Sequence, residues 1–270
     1  PKGCISSQSS LKHYLRSKNA SYNISPSSKV LLASSLTFDP CLSDILATFY
    51  INATLVLCAR QELMESMKSV VEGLNVTHVL CTPSLWSLTL LNGGNNVVRG
   101  GMMDSLEVIA LGGEPIPKRI VSKWARCCRS RKEETTMTQQ YTQTTKLFAT
   151  YGVTEACVYQ TCGEMYCKED DHQDEYNKGG QNVGKVMGSN HVLIIMCSSN
   201  VNEENDKKKY MKAVEDGTVG EVVLYGAQVD EHSCYLNRSQ LNEEKFLFSS
   251  SSPPQSPSSS SSSSASSNTP

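Results

Sequence analysis

The sequence has no long hydrophobic run and no excess of charge of either sign. Its apolar runs, such as residues 192–196, have the length of a β-strand and fall far short of the roughly 20 residues that span a bilayer. The formal net charge is -2 at pH 7. These absences exclude a membrane-spanning helix and a basic surface that would attract nucleic acid or an anionic membrane. The start of the chain, Pro1-Lys2-Gly3, has no charged region followed by an apolar stretch, so we expect no signal peptide.

Regularly spaced cysteines are also lacking. The eleven cysteines are scattered through the chain, and none forms a Cys-x-x-Cys pair. An odd number without regular spacing argues against a disulfide framework and favours a reducing compartment, from which we expect a cytoplasmic location. A metal–thiolate site at Cys127 and Cys128, or at Cys162 and Cys167 with His172, is a less favoured alternative to ordinary thiols.

Apolar residues are almost absent from the end of the chain. Residues 249–270 are nearly all Ser and Pro, so we predict a disordered tail, because such a segment cannot bury enough apolar surface to offset its loss of conformational entropy. Three other polar stretches, residues 129–146, 166–181 and 198–212, are predicted surface loops. The predicted organisation is one domain over residues 1–248, followed by the tail over residues 249–270.

What the sequence does contain is an alternation of short apolar runs with helical patterns. Predicted strands cover residues 29–33, 53–58, 76–81, 106–111 and 147–150. Predicted helices cover residues 44–49, 61–74, a segment that opens at residue 82, and residues 117–125. This alternation is typical of an α/β fold, with a parallel sheet covered by helices on both faces. Two later strand-like runs, residues 192–197 and 219–225, have no helix between them and predict a smaller β-rich lobe.

Three loops of unusual composition directly follow predicted strands. They are residues 36–40 (LTFDP) after the first strand, residues 112–114 (GGE) after the fourth and residues 151–155 (YGVTE) after the fifth. Ligands of α/β sheets bind at the carboxyl ends of the strands, so these loops are candidates for one binding site. Each loop by itself is better explained as an ordinary turn, because Asp and Gly are common turn residues.

The order and spacing of five motifs favour the binding site. The motifs are PKG at 1–3, FDPC at 38–41, ATYGVTE at 149–155, GEVVLYG at 220–226, and CYLNR at 234–238 with EKF at 244–246. Together they resemble the adenylate-forming (AMP-binding) superfamily, which includes acyl-CoA synthetases and the adenylation domains of nonribosomal peptide synthetases. LASSLTFDP at 32–40 and ALGGE at 110–114 are most similar to the β-alanine-activating branch, acyl-CoA synthetase family member 4.

The resemblance implies ATP and Mg²⁺ as cofactors and assigns roles to residues. Thr154 and Glu155 would be catalytic, with Thr154 hydrogen-bonded to the α-phosphate and Glu155 holding Mg²⁺, a hard ion that prefers carboxylate oxygen. Tyr151, Gly152 and the backbone of Gly113 and Glu114 would bind the nucleotide around its adenine ring. Asp39 would pair with the ammonium group of an amino acid, since a buried carboxylate needs a partner. The alternative for Asp39 is a cap of the helix that begins near Cys41.

By position, four small or weakly polar residues would line the acid-binding pocket: Ser43, Cys81, Gly112 and Thr150. His78, on a predicted strand, is interpreted as a packed histidine and not as a base, because adenylation of an ionised carboxylate needs no general base. Trp86 and Trp124 are predicted core or boundary residues.

The motifs also depart from the family. The phosphate loop that precedes PKG, the Thr-Gly-Asp segment and the C-terminal domain with its lysine are not in the sequence, and Cys41 and Ala149 stand where Ser and Asn are usual. We therefore expect a fragment of an ATP-dependent ligase that is inactive alone. The parent would activate an amino or related carboxylic acid and transfer it to a carrier-protein phosphopantetheine or a CoA thiol. The alternatives are a non-catalytic protein with residual nucleotide binding and an acyl-CoA synthetase for a plain carboxylic acid.

Overall fold

The structure, a computed structural model, describes residues 2–91, 103–128, 145–168, 183–195, 213–215 and 217–246. The predicted tail, residues 249–270, and almost all of the three predicted polar loops lie outside these residues. The α-helices of the described part are α1 (Gln8–Tyr22), α2 (Asp39–Tyr50), α3 (Arg60–Gly73), α4 (Pro83–Leu91), α5 (Lys118–Trp124) and α6 (Ser239–Lys245).

The β-strands of the described part fall into one large sheet and three two-stranded sheets. In chain order they are β1 (Cys4–Ile5), β2 (Lys29–Leu31), β3 (Thr54–Val56), β4 (His78–Cys81), β5 (Val108–Gly112), β6 (Arg126–Cys128), β7 (Lys146–Tyr151), β8 (Thr161–Glu164), β9 (Tyr166–Lys168), β10 (Lys185–Val186), β11 (Asn190–Ile195), β12 (Glu221–Gly226) and β13 (Cys234–Tyr235).

The large sheet has the strand order β10-β8-β7-β5-β4-β2-β3. Strands β3, β2, β4, β5 and β7 are parallel, whereas β8 and β10 add an antiparallel edge beside β7. Each of the five predicted strands is present: β2, β3 and β4 are shorter than predicted, β5 is shifted by one or two residues, and β7 is one residue longer at each end. Because the five strands are parallel, their carboxyl ends lie at the same edge of the sheet, and the three candidate loops all start from that edge.

Helices cover both faces of the sheet, as predicted. Successive residues of a strand point to opposite faces. In β5, Ile109 and Leu111 join a core formed with α3, α4 and α5, whereas Val108 and Ala110 join a core formed with α1 and α2. The first core is fixed by Trp86, which is fully buried and packs edge-on against Trp124 with ring centroids 5.3 Å apart. His78 is buried as well, so these three residues are placed as the sequence predicts.

Helix α3 shows why these elements follow from the sequence. Its inward side chains Leu63, Met67 and Val71 recur every four residues and are at most 2% exposed. Burial of an aliphatic side chain of this size contributes about 1.5–3 kcal/mol. The apolar stripe keeps its direction although the backbone at Ser66 leaves the helical region. Apolar periodicity therefore predicts α3 nearly to its ends.

Helix α1 is not predicted by the sequence patterns used above. It starts at Ser7, whose hydroxyl accepts a hydrogen bond from the Ser10 amide at 3.0 Å, and it ends at Asn23, whose φ of 54° stops a helix. Its buried face includes Lys18 and Asn19, at 1% and 4% exposure. Together with Ser10, which is also fully buried, they interrupt the apolar period and hide the helix from a pattern based on hydrophobicity.

Strands β11 and β12 form the two-stranded sheet that corresponds to the predicted β-rich lobe, whereas β10, which also follows residue 183, joins the large sheet. Strands β11 and β12 pair antiparallel from Asn190 opposite Gly226 to Ile195 opposite Glu221. Near the start of the chain, β1 pairs antiparallel with β13, which places Cys4 opposite Tyr235. The first motif of the sequence thereby lies beside the last. Within the described part of the chain, no helix is both long and apolar enough to cross a bilayer.

Candidate active site

Asp39 is the first residue of α2, immediately after the loop that follows β2. It is partly buried, and its Oδ2 atom is fully shielded and has no hydrogen-bond partner among the described residues. Burial raises the pKa of this carboxyl, hydrogen bonding by the Thr154 hydroxyl and by the Asp39 amide lowers it, and the charge of Glu155 raises it, with a net increase. Asp39 also places a negative charge in the first turn of α2, where the helix dipole favours one. The N-cap of α2 is Phe38 and the cap makes no side-chain hydrogen bond, so Asp39 is the first residue inside the helix and not the cap that the alternative interpretation expects.

Glu155 lies in the short 3-10 turn Thr154–Ala156 that follows β7. Its Oε1 atom accepts hydrogen bonds from the Lys2 ammonium at 3.3 Å and from the Tyr235 hydroxyl. The Lys2 ammonium also lies 4.5 Å from the centroid of the Tyr235 ring. Partial burial raises the pKa of Glu155, but the hydrogen bonds from Tyr235, its own backbone and Lys2 outweigh this effect and hold the pKa below its ordinary value. Glu155 is therefore an ionised, partly exposed carboxylate.

Cys4 indicates that these groups converge. Burial raises the pKa of its thiol, the charges of Glu155 and Asp39 raise it further, and the charge of Lys2 lowers it. Asp39, Glu155 and Lys2 therefore all lie near one thiol, although they are far apart in the sequence. The parallel sheet brings the loops after β2 and β7 together, and the β1–β13 pair adds the cation.

The donor set fits Mg²⁺ better than a transition metal. Across the residues that the structure describes, no three His, Cys, Asp or Glu side chains cluster as a metal cage would require. Mg²⁺ commonly binds through one or two carboxylates together with substrate phosphates and waters. Glu155, with 29% of its side chain exposed, is a carboxylate of that kind, and its partners in this structure are Lys2 and Tyr235.

Gly113 and Glu114 follow β5 at the same edge of the sheet and are exposed. Gly113 has a φ of 81°, which glycine adopts without strain. The Glu114 carboxylate accepts hydrogen bonds from the Ser84 amide at 3.1 Å and from the Ser84 hydroxyl, so it caps the first turn of α4. The Glu114 side chain is thereby used structurally. Tyr151, at the end of the neighbouring strand, is 38% exposed and offers a ring surface at the same edge.

The four predicted pocket residues are buried. Gly112 lies opposite Thr150 in the sheet, and a Cβ atom on Gly112 would lie 2.6 Å from Thr150 Cγ2. Cys81 is 4% exposed, and burial raises the pKa of its thiol. Ser43 is fully buried, one helical turn after Asp39. The structure thus joins Gly112 with Thr150 and joins Asp39 with Thr154 and Glu155.

Sequence reasoning missed a buried polar cluster beneath Ser43. The Ser43 hydroxyl lies 2.9 Å from the Tyr14 hydroxyl and accepts a hydrogen bond from the Lys18 ammonium at 2.8 Å. Lys18 also donates to Asp44. Asp44 follows Ser43 directly, but Lys18 belongs to the unpredicted helix α1, and only its proximity in space reveals it.

Two buried glutamines were also missed. Gln160 and Gln228 are each 1% exposed and bond to the backbone of the loop that carries Thr154 and Glu155. Gln228 closely follows the GEVVLYG motif, and that position is the one signal that could have drawn attention to it.

Comparison with a family model gives a match over most of the chain. The model described as "AMP-binding enzyme" matches residues 1–231. A curated relative, the delta-poly-L-ornithine synthetase of Acinetobacter baumannii, is 26% identical over 255 residues, which cover 92% of this chain and 15% of that protein. The chain spans 12% of a hybrid PKS-NRPS synthetase from Botryobasidium botryosum, to which it is 24% identical over 91% of its own length. The chain is thus much shorter than the curated relatives it matches.

Solved structures support the same fold. The adenylation domain AlmE of Vibrio cholerae, in complex with glycyl-adenosine-5'-phosphate, has a TM-score of 0.68 at 18% identity. The similarity covers 93% of this chain and 41% of the AlmE chain. The O-succinylbenzoate coenzyme A synthetase of Bacillus subtilis, in complex with ATP and magnesium ion, has a TM-score of 0.64 at 20% identity. The similarity covers 92% of this chain and 42% of the synthetase chain.

Proposed function

The chain belongs to the AMP-binding enzyme family of adenylate-forming ligases, and on this premise we propose that it forms the nucleotide- and acid-binding part of a ligase that adenylates an amino acid. The observation that carries the proposal is the buried, unpartnered Oδ2 atom of Asp39, which lies next to Thr154 and Glu155. A buried carboxylate oxygen is costly without a partner, and the ammonium group of an amino acid would supply one. The Vibrio adenylation domain was solved in complex with glycyl-adenosine-5'-phosphate, which supports an amino acid as the substrate class.

In the proposed reaction, a carboxylate oxygen of the acid attacks the α-phosphorus of ATP. The bond between that phosphorus and the bridging oxygen of the β-phosphate breaks, so pyrophosphate leaves and an acyl-adenylate remains. A thiol of a carrier-bound phosphopantetheine or of CoA then attacks the acyl carbon and releases AMP. Both reactants of the first step are anions, so the site must hold them together and neutralise the charge.

The described residues divide these tasks. Asp39 orients the acid through its ammonium group, and the Thr154 hydroxyl donates to an oxygen of the α-phosphate. Lys2 adds positive charge beside the phosphates. Glu155 holds Mg²⁺, which neutralises phosphate charge when it is bound. Tyr151, Gly152 and the exposed backbone of Gly113 and Glu114 accommodate the adenine ring.

The scattered cysteines support a reducing compartment such as the cytoplasm.

A matched pair of acyl-adenylate analogues tests the role of Asp39. β-Alanyl and propionyl sulfamoyl-adenosine differ only in the ammonium group, and calorimetry measures their affinity for this chain. We expect the wild type to prefer the β-alanyl compound by about 10- to 100-fold, since a hydrogen-bonded charge pair contributes roughly 1.5–3 kcal/mol. Asp39→Asn should abolish this preference and leave the affinity for the propionyl compound unchanged.

Asp104→Asn is the control, because Asp104 is exposed and precedes β5, at the opposite edge of the sheet. It should keep the wild-type preference. Equal affinity of the wild-type protein for both analogues would overturn the amino-acid assignment and favour a plain carboxylic acid. Pyrophosphate exchange by the full-length parent with β-alanine, other amino acids and fatty acids then identifies the acid.

A second candidate is a nucleotide-binding protein without catalysis. It is favoured by one observation: the Glu155 carboxylate already has two partners, Lys2 and Tyr235, in the place where it would hold a metal ion. Under this alternative, ATP binds with an affinity that does not depend on Mg²⁺, and Glu155→Gln leaves that affinity unchanged. Under the proposed function, the affinity increases with Mg²⁺ and Glu155→Gln removes the increase.

A further inference from the structure

The loop that carries Thr154 and Glu155 has a backbone conformation that its own sequence disfavours. After the 3-10 turn Thr154–Ala156, Cys157 and Val158 both have left-handed backbones, with φ of 63° and 73°. Few residues other than Gly, Asn and Asp adopt this region, and a β-branched residue such as Val does so rarely. Two such residues in succession persist only where surrounding contacts hold them.

Gln228 supplies these contacts from outside the loop. Its side-chain amide nitrogen donates to the carbonyl oxygens of Cys157 and Tyr159, at 2.9 Å and 3.0 Å, and lies 3.3 Å from that of Ala156. Gln228 is 1% exposed, so no solvent competes for these bonds. One side chain thus binds the backbone on both sides of Val158.

Asn190 fixes the orientation of the Gln228 amide. The Asn190 side-chain nitrogen donates to Gln228 Oε1, and the Gln228 backbone amide donates to Asn190 Oδ1 at 3.2 Å. The acceptor end of Gln228 is therefore occupied by Asn190, and its donor end faces the loop. Asn190 begins β11 and Gln228 follows β12, so the contact connects the β-rich lobe to the loop.

Gln160 supports the same loop from within. Its Oε1 atom accepts a hydrogen bond from the Val153 amide at 2.9 Å, and its Nε2 atom donates to the Ala156 carbonyl at 2.7 Å. These bonds close the 3-10 turn on itself but do not reach the carbonyls of Cys157 or Tyr159. Gln228 is therefore the side chain of the described residues that spans the left-handed segment.

We propose that Gln228 is a positioning residue, which holds the left-handed segment at Cys157 and Val158 and thereby sets the position of Thr154 and Glu155 for the nucleotide phosphates. Its effect on the nucleotide rests on the proposed function. Its effect on the loop does not, because that effect follows from the hydrogen bonds alone. Gln228 need not touch the substrate in order to act.

Hydrogen exchange and nucleotide binding together test this role. In Gln228→Met, which keeps the size of the side chain but removes its donors, we expect amide exchange in residues 153–160 to accelerate about tenfold or more, while exchange in β4 stays unchanged. The affinity for Mg²⁺·ATP should fall about 10- to 100-fold, as is usual when a group that orients a ligand-binding residue is removed. Gln61→Met, at an exposed site on α3, should change neither measurement.

A double-mutant cycle separates positioning from general stability. Glycine adopts a φ of 73° without strain, so Val158→Gly should reduce the need for Gln228. We expect Gln228→Met to weaken Mg²⁺·ATP binding less than about threefold in the Val158→Gly background. Should Gln228→Met not fold, Gln228→Asn keeps the amide but is one methylene shorter, and the same loop-specific exchange is expected of it.

Two results would overturn the inference. One is unchanged exchange in residues 153–160 in a folded Gln228 variant. The other is an equal increase in β4, which would indicate a general loss of stability. If the wild-type protein binds no Mg²⁺·ATP, the proposed function fails, while the exchange experiment still decides whether Gln228 holds the loop.

Discussion

Replacing Lys18 by Met tests the buried ion pair beneath Ser43. The side chains of Lys18 and Asp44 are 1% and 0% exposed, and the Lys18 ammonium donates to the Asp44 carboxylate. Met keeps the length and the apolar stem of Lys, so Lys18→Met leaves the Asp44 carboxylate buried without its cation. We expect the free energy of unfolding to fall by about 3–5 kcal/mol near neutral pH, the cost of removing one partner of a buried pair.

This cost should increase with pH. Burial raises the pKa of Asp44, and the charge and hydrogen bond of Lys18 oppose that increase. Without Lys18 the folded-state pKa rises further, so the folded protein holds a proton that the unfolded chain releases. Between the unfolded-state and the folded-state pKa, the free energy of unfolding of the variant then falls by about 1.4 kcal/mol for each unit of increasing pH.

Urea unfolding followed by tryptophan fluorescence measures the effect, because Trp86 is fully buried. Wild type and variants are compared at matched pH values between about 5.5 and 8.5. The double variant Lys18→Met with Asp44→Asn removes both charges, and we expect it to recover much of the stability that Lys18→Met loses. A loss below about 1 kcal/mol that is independent of pH would refute the reasoning, and so would a double variant less stable than Lys18→Met alone.

Two further predictions concern the loop and the core. A Cβ atom at Gly152 would lie 2.2 Å from the Val158 carbonyl oxygen, so Gly152→Ala should destabilise the protein by at least about 1–3 kcal/mol; in urea unfolding, Gly73→Ala is the control, since its Cβ meets nothing within 4 Å. Burial lowers the pKa of His78 below its ordinary value of 6.5, although its hydrogen bond to the Tyr22 carbonyl opposes this decrease. Burial of the neutral ring therefore contributes to the free energy of unfolding above pH 6.5, and this contribution is lost as the pH falls below 6.5. The melting temperature of the wild type should therefore decrease as the pH falls below 6.5, and His78→Gln should make this decrease less steep. An equally steep decrease in the variant would contradict the buried neutral state of His78.

The sequence predicts the strands well because each is a short, nearly continuous apolar run. The run at residues 76–81 becomes β4, whose four residues are all buried. The prediction from the sequence fails at α1, where Lys18 and Asn19 lie on the buried face and disrupt the apolar period. A pattern of hydrophobicity assumes that buried positions are apolar, and α1 violates that assumption because Asp44 and the Ala47 carbonyl compensate the two polar side chains.

The candidate site, like the fold, has a part that the sequence predicts and a part that it does not. Its loops are predictable, because polar residues that directly follow parallel strands meet at one edge of the sheet. The partners of the side chains are not, since they depend on distances that sequence spacing does not encode. Sequence alone places Glu155 after β7, but only the β1–β13 pair brings Lys2 and Tyr235 to its carboxylate.

The order of apolar strands and polar loops, and with it the class of fold and the family, was determined by the sequence itself, because local patterns of burial act over a few residues. The tertiary structure alone decided that Asp39 meets Thr154, that Lys18 lies beneath Ser43, and that Gln228 holds the backbone around Val158. These contacts join residues between about 25 and 115 positions apart, and a hydrogen bond forms only where the folded chain brings its two atoms to about 3 Å.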